Sequence, residues 1–198
     1  MLHAFGFSAS YFPLLIFGSI LEVLDTRVIQ LTDSIKFSTT PPLLLALCEE
    51  INDLTNMIRR LSSFYGPTIL ICFVFFFNDL IWCCYYSVIL LFDEGPYNKI
   101  VLYQAGAVYH LFAFFLMSKA CEDHYRRVEA FHWEMYDLMC SSELLCKHEK
   151  LKLFASLGKT VEFSCCGFFT IGYPMVTSII AAAATYLVIL IQFSLQNE

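Results

Sequence analysis

Four long runs of apolar residues divide this chain, and the segments between them carry apolar residues at helical spacing instead. Ala4 to Leu21 is uncharged but holds Pro13 and two glycines. Ile69 to Phe92 is long and aromatic, interrupted only by Asn78 and Asp79. Val101 to Met117 is shorter and contains Gln104 and His110. Phe163 to Phe193 is longer than one straight crossing of about 30 Å of hydrocarbon requires. Gly167, Gly172 and Pro174 are placed to break it, leaving Pro174 to Phe193 as the crossing. A bilayer-spanning helix needs about 20 mostly apolar residues, so spans are predicted over 4–23, 68–92, 100–118 and 174–194.

The intervening segments read as helices. Leu24, Val28, Leu31 and Ile35 continue the first span at three- and four-residue intervals until Thr39-Thr40-Pro41-Pro42 interrupts them, since proline removes a donor and constrains its predecessor. The pattern resumes with Leu47, Ile51, Leu54, Ile58 and Leu61, with Glu49, Glu50, Asp53, Arg59 and Arg60 on other faces. Gly66-Pro67 marks entry to the second span. Beyond the third span, Cys121, Tyr125, Val128, Phe131, Met135 and Leu138 form another stripe, and a further helix is predicted from Leu144 to Phe163. Apolar stripes must bury against something, so the segments 24–64 and 119–162 are expected to pack on one another as a helical layer outside the bilayer. The fold class predicted is all-α, a polytopic transmembrane helical bundle with cytoplasmic helical extensions. No internal repeat, low-complexity tract or flexible linker divides it, and residues 1–198 form one unit.

Composition agrees with a membrane protein. Of 198 residues, 58% are hydrophobic and only 15% charged, with mean hydropathy +0.63, more apolar than a soluble domain of this size requires. The formal charge of −6 matters less than where the positive charges fall. Arg27, Lys36, Arg59 and Arg60 lie in the first connection, and Lys119, Arg126, Arg127, Lys147, Lys150, Lys152 and Lys159 in the third. Only Lys99 lies in the second, so eleven of the twelve basic residues share one side. Basic residues near span ends mark the cytoplasm, which predicts an external C-terminus. Residues 1–24 lack the basic start and small-residue cleavage site of a signal peptide and read instead as a span. The nine cysteines are odd in number and lie mostly in spans or on the cytoplasmic side, where a disulfide framework is not expected.

Candidate chemistry is sparse. Gly-rich phosphate loops, metalloprotease and nucleophile-elbow motifs are missing, so no enzyme, cofactor or nucleic-acid partner is expected. Cys140, Cys146 and His148 match no compact zinc spacing. Asn78 and Asp79 stand out because an ionisable group inside a span usually faces a cavity or a polar partner. Trp82, Tyr85 and Tyr86 follow within two turns, and rings beside polar groups suit a small organic ligand. The other reading is a hydrogen bond between helices, to His110 or Gln104. His110 itself reads either as a packed structural group or as part of the same pocket. On the last span, Ser178, Ala182 and Thr185 form a small-residue face suited to close helix approach. Gln192 either reaches the membrane interface or, if copies of this helix surround an axis, forms a polar ring beside an Ile189 and Phe193 constriction.

The run Thr185-Tyr186-Leu187-Val188-Ile189-Leu190-Ile191-Gln192-Phe193 resembles the C-terminal signature of the insect gustatory receptors. Leu47-Cys48-Glu49-Glu50-Ile51-Asn52-Asp53 is similar to the run before that family's fifth helix, and Leu153-Phe154 to Cys166-Gly167-Phe168-Phe169 to the approach to its seventh. The resemblance implies a multi-pass plasma-membrane receptor of seven helices with a cytoplasmic N-terminus and an extracellular C-terminus. It also implies a ligand-gated, non-selective cation channel that detects small-molecule tastants, built as a homo- or hetero-tetramer. By the same resemblance Tyr186, Ile189, Gln192 and Phe193 are pore and gate positions, and Asn78, Asp79, Trp82, Tyr86, Tyr103 and His110 help line the ligand pocket. Family members are longer, so this chain corresponds to helices four to seven, the first three being absent from it. A non-conducting subunit that only associates with other receptor subunits is the alternative expectation.

Overall fold

The computed structural model describes residues 2–37, 40–92, 96–157 and 162–195, with side chains described for 12–37, 40–92, 96–156 and 162–193. Thr39 of the predicted helix break and Lys159 of the charge count lie outside the described residues. Four long helices dominate: α1 (Leu2–Ile35), α2 (Pro41–Phe92), α3 (Tyr97–Ser141) and α6 (Tyr173–Leu195). Two short ones, α4 (Glu143–Cys146) and α5 (Glu149–Leu157), follow α3, and a small antiparallel hairpin of β1 (Ser164–Cys165) and β2 (Phe169–Thr170) precedes α6. The protein is an all-α membrane protein, the hairpin being a minor exception.

Helix length explains the architecture. The 52 residues of α2 and the 45 of α3 rise at about 1.5 Å each, far exceeding the roughly 30 Å of a hydrocarbon core. The second and third predicted spans therefore continue without a break into their amphipathic extensions. Pro41 occupies the first turn of α2, where its missing N–H costs nothing, and Leu44 N–H donates to Thr40 O at 3.2 Å. The helix then continues through Gly66-Pro67. An unpaired backbone group near lipid is costly, so a continuous helix is favoured over a break there.

Among the described residues, three helices are long and apolar enough to cross a membrane, within α2, α3 and α6. Their most apolar windows are only 22%, 22% and 11% buried within the chain, which separates them from soluble core helices. Ile71, Val74, Phe75, Leu102, Phe112 and Val188 all face outward. The first expected span, 4–23, falls partly on residues whose side chains are not described.

Two apolar cores stack along the bundle. The first gathers Phe17, Leu21, Ile69, Phe76, Phe114 and Met175 from α1, α2, α3 and α6. The second gathers Val28, Leu31, Leu44, Ile51, Phe131 and Leu151 from α1, α2, α3 and α5. The predicted stripe Leu24, Val28, Leu31 and Ile35 is wholly buried. On α3 the buried line runs Cys121, His124, Val128, Phe131, Met135 and Met139, rotated slightly from the expected one so that Tyr125 and Leu138 are only half-buried.

The predicted helix from Leu144 to Phe163 is corrected. Ser142 is extended and separates α4 from α3, α5 ends at Leu157, and residues 162 and 163 are not helical. The Cys-rich junction is a hairpin with a three-residue loop in which Cys166 and Gly167 have φ of 53° and 79°. Two successive left-handed residues cannot continue a right-handed helix. Gly167 N–H donates to Ser164 Oγ at 2.9 Å, and Phe168 N–H to Cys165 O at 2.9 Å. The hairpin sits against α2 at Gly66, where an added Cβ would lie 3.4 Å from Cys166 N and from Ser164 O.

Candidate functional site

On α6 the first half is anchored and the second half is displayed. Met175 and Ile179 are buried in the first core, and Tyr173 packs on Phe115 of α3 with ring centres 6.0 Å apart. Tyr186 touches Phe77 of α2 edge-on at 6.2 Å. Beyond that contact the helix turns an apolar surface outward: Tyr186 is 54% and Phe193 63% exposed, and Ile189 and Gln192 are exposed as well. The hydroxyls of Ser178 and Thr185 donate to Pro174 O and Ala181 O at 2.9 Å each, so both are satisfied within the helix.

The expected ligand residues separate into three groups. Trp82 and Tyr86, one turn apart on α2, meet edge-on at 4.7 Å. Tyr86 stacks across to Tyr103 of α3 at 5.7 Å and 22°, with Tyr85 beside it at 5.8 Å. His110 is fully buried deeper in the bundle, 5.7 Å from Phe76, and interacts electrostatically with Asp79. Asn78 is exposed and lies one turn before Trp82 on α2. The structure therefore joins Trp82, Tyr86 and Tyr103 in one aromatic group and places His110 apart from it, deeper in the bundle.

Cavities among the described residues lie elsewhere. One of about 510 Å³ separates α2 from α6 and is walled by Phe73, Phe77, Met175, Ile179 and Tyr186. A second, about 390 Å³, lies between α1 and α3 around Phe17, Glu22, Tyr109 and Phe112. A third, about 380 Å³, opens among α2, α3 and α5. No group of three His, Cys, Asp or Glu among the described residues is placed to hold a metal ion.

The residues that sequence reasoning missed form a polar triad in which Asp25 and His124 are buried and Arg127 is partly exposed. Asp25 of α1 accepts from His124 Nδ1–H through Oδ1 and from Arg127 Nη1 through Oδ2. His124 is fully buried, and its ring meets Phe163 edge-on at 5.7 Å. Phe163 in turn packs perpendicular to Phe17 at 5.9 Å. The triad thus ties α1 to α3 where the two apolar cores meet, and touches the segment that leads through the hairpin into α6. Its sequence signal was available: Asp25 and His124 occupy apolar-stripe positions, between Leu21 and Val28 and between Cys121 and Val128.

All nine cysteines are free. Burial pushes the Cys48 and Cys165 thiols up to about 12 and raises Cys121 as well. These three are inert thiols packed as small apolar groups, whereas Cys140 and Cys166 are exposed.

A family model described as 7tm Chemosensory receptor matches residues 7–197. Among curated proteins, none matches the sequence.

Proposed function

Because the chain belongs to the 7tm chemosensory receptor family, we propose that it is a subunit of a ligand-gated, non-selective cation channel that detects small-molecule tastants at the plasma membrane. The observation that carries this reading is the C-terminal half of α6, whose apolar side chains are displayed outward while its first half is anchored in the core. Four such helices around an axis bury those side chains against one another. In that arrangement Ile189 and Phe193 form the apolar constriction and Gln192 a polar ring beside it. Tyr186, against Phe77 of α2, connects the pore helix to the helix that carries Trp82 and Tyr86. The aromatic group of Trp82, Tyr86 and Tyr103, with Asp79 and His110 deeper and Asn78 at the margin, is the surface on which a ligand acts. A ligand that binds the open arrangement more tightly shifts the population toward it.

The direct test is ion selectivity, recorded from cells expressing the complete open reading frame that contains these residues. Gln192→Glu places a ring of carboxylates at the pore and should raise divalent relative to monovalent permeability several-fold. Unchanged permeability ratios would remove Gln192 from the ion path. Orientation has its own test. A membrane-impermeant maleimide offered from the cytoplasmic side should label Cys140 and Cys166 and spare Cys48, Cys121 and Cys165, as read by peptide mass spectrometry. Labelling of Cys140 only from the external side would reverse the proposed topology.

A further inference from the structure

The cavity among α2, α3 and α5 lies in the helical layer outside the spans, and neither the pore nor the aromatic group uses it. Its volume of about 380 Å³ falls within the range of small-molecule sites. Ile51 and Thr55 are buried at its floor. One wall is Leu153 with the stacked pair of Phe154 and His132, 5.5 Å apart and inclined by 28°. Glu49 and Lys150 stand at the exposed mouth.

Two observations point to a ligand. His132 Nδ1 is buried without a hydrogen-bond partner among the described residues, although a buried polar atom of a native structure normally has one. Burial lowers the pKa of His132, so the ring is neutral near pH 7 and each nitrogen can make a hydrogen bond to an uncharged group. At the mouth, Glu49 and Lys150 carry opposite charges, yet neither enters any ion pair found among the described residues.

We propose that this cavity binds a small zwitterionic aromatic molecule. Its ring lies against Phe154 and Leu153, a ring hydroxyl or N–H meets His132 Nδ1, its carboxylate meets Lys150 and its ammonium meets Glu49. A dianion is repelled by Glu49 and a dication by Lys150, so the paired charges select a molecule carrying both. The site joins α5 to α2 and α3, and is independent of the channel reading.

The probe is L-tyrosine, titrated calorimetrically into the purified full chain in lipid nanodiscs. Saturable binding is expected, weakened about tenfold, the equivalent of about 1.4 kcal/mol, by Lys150→Ala and again by Glu49→Gln. Tyramine, which lacks the carboxylate, should bind more weakly and lose nothing to Lys150→Ala. Leu153→Trp, which fills the cavity, should abolish binding, and an unchanged thermal midpoint shows that this variant is folded. The proposal fails if L-tyrosine does not bind, or if its binding survives Leu153→Trp or is indifferent to both charge substitutions.

Discussion

Asp25→Ala is expected to destabilise the chain by about 3–5 kcal/mol, the typical cost of removing one partner from a buried ion pair. Asp25 is the acceptor for both His124 Nδ1–H and Arg127 Nη1. Without it, His124 keeps a polar N–H in a site with no exposure, and the partly exposed Arg127 loses its carboxylate partner. The loss is read as a lower thermal midpoint in detergent and as reduced surface delivery in cells. Replacing all three residues with apolar ones of similar size should recover much of the loss, because the penalty comes from stranding the polar groups, not from lacking the triad. A drop below about 1 kcal/mol for Asp25→Ala, the range of exposed pairs, would show that water reaches the site and that the triad does not hold α1 to α3. The exposed pair Arg27–Glu50 is the internal comparison: Glu50→Ala should stay within that smaller range.

The placement of that triad shows which parts of this fold can be read from sequence. Spacing of Leu24, Val28, Leu31 and Ile35 announces a buried stripe because helical periodicity is local, and all four are buried. Continuity of α3 through the membrane boundary is also legible, since nothing interrupts it, whereas in α2 the helix crosses the Gly66-Pro67 pair that reads as the entry to a span. Asp25 and His124 escaped because polar side chains are assigned by default to the outer face, and only their partnership across 99 residues justifies burying them. The hairpin escaped for a related reason. Residues 164–170 are rich in Cys and Phe and suit a helix junction, but the backbone turn is supported by Ser62 Oγ–H donating to Ser164 O at 3.4 Å and by the close approach at Gly66. Both contacts come from a distant helix. At the aromatic group, the meeting of Trp82 with Tyr86 follows from their i,i+4 spacing. Tyr103 joins them only through the register between α2 and α3, which no local pattern fixes.

Phe193→Ala is expected to raise the ligand-free current of the complete receptor about tenfold, a shift of about 1.4 kcal/mol in the closed–open balance. The argument rests on the proposed pore, in which four Phe193 rings meet across the axis and keep the closed path dry. Truncation removes the rings and leaves Ile189 as the remaining apolar barrier, so the closed state leaks while ligand still opens it further. Tyr186→Ala should act differently. Its ring contacts Phe77 at 6.2 Å, so the substitution loosens the link between α2 and the pore helix and weakens the response to ligand without raising the basal current. A double-mutant cycle of Phe77→Ala and Tyr186→Ala separates the two roles. An aromatic pair of this kind carries about 0.5–1.5 kcal/mol beyond its buried area, so ligand sensitivity of the double variant should match that of either single one. If Phe193→Ala leaves basal current and selectivity untouched while Tyr186→Ala alone raises the leak, the constriction lies a turn or more deeper in α6 and Phe193 faces lipid.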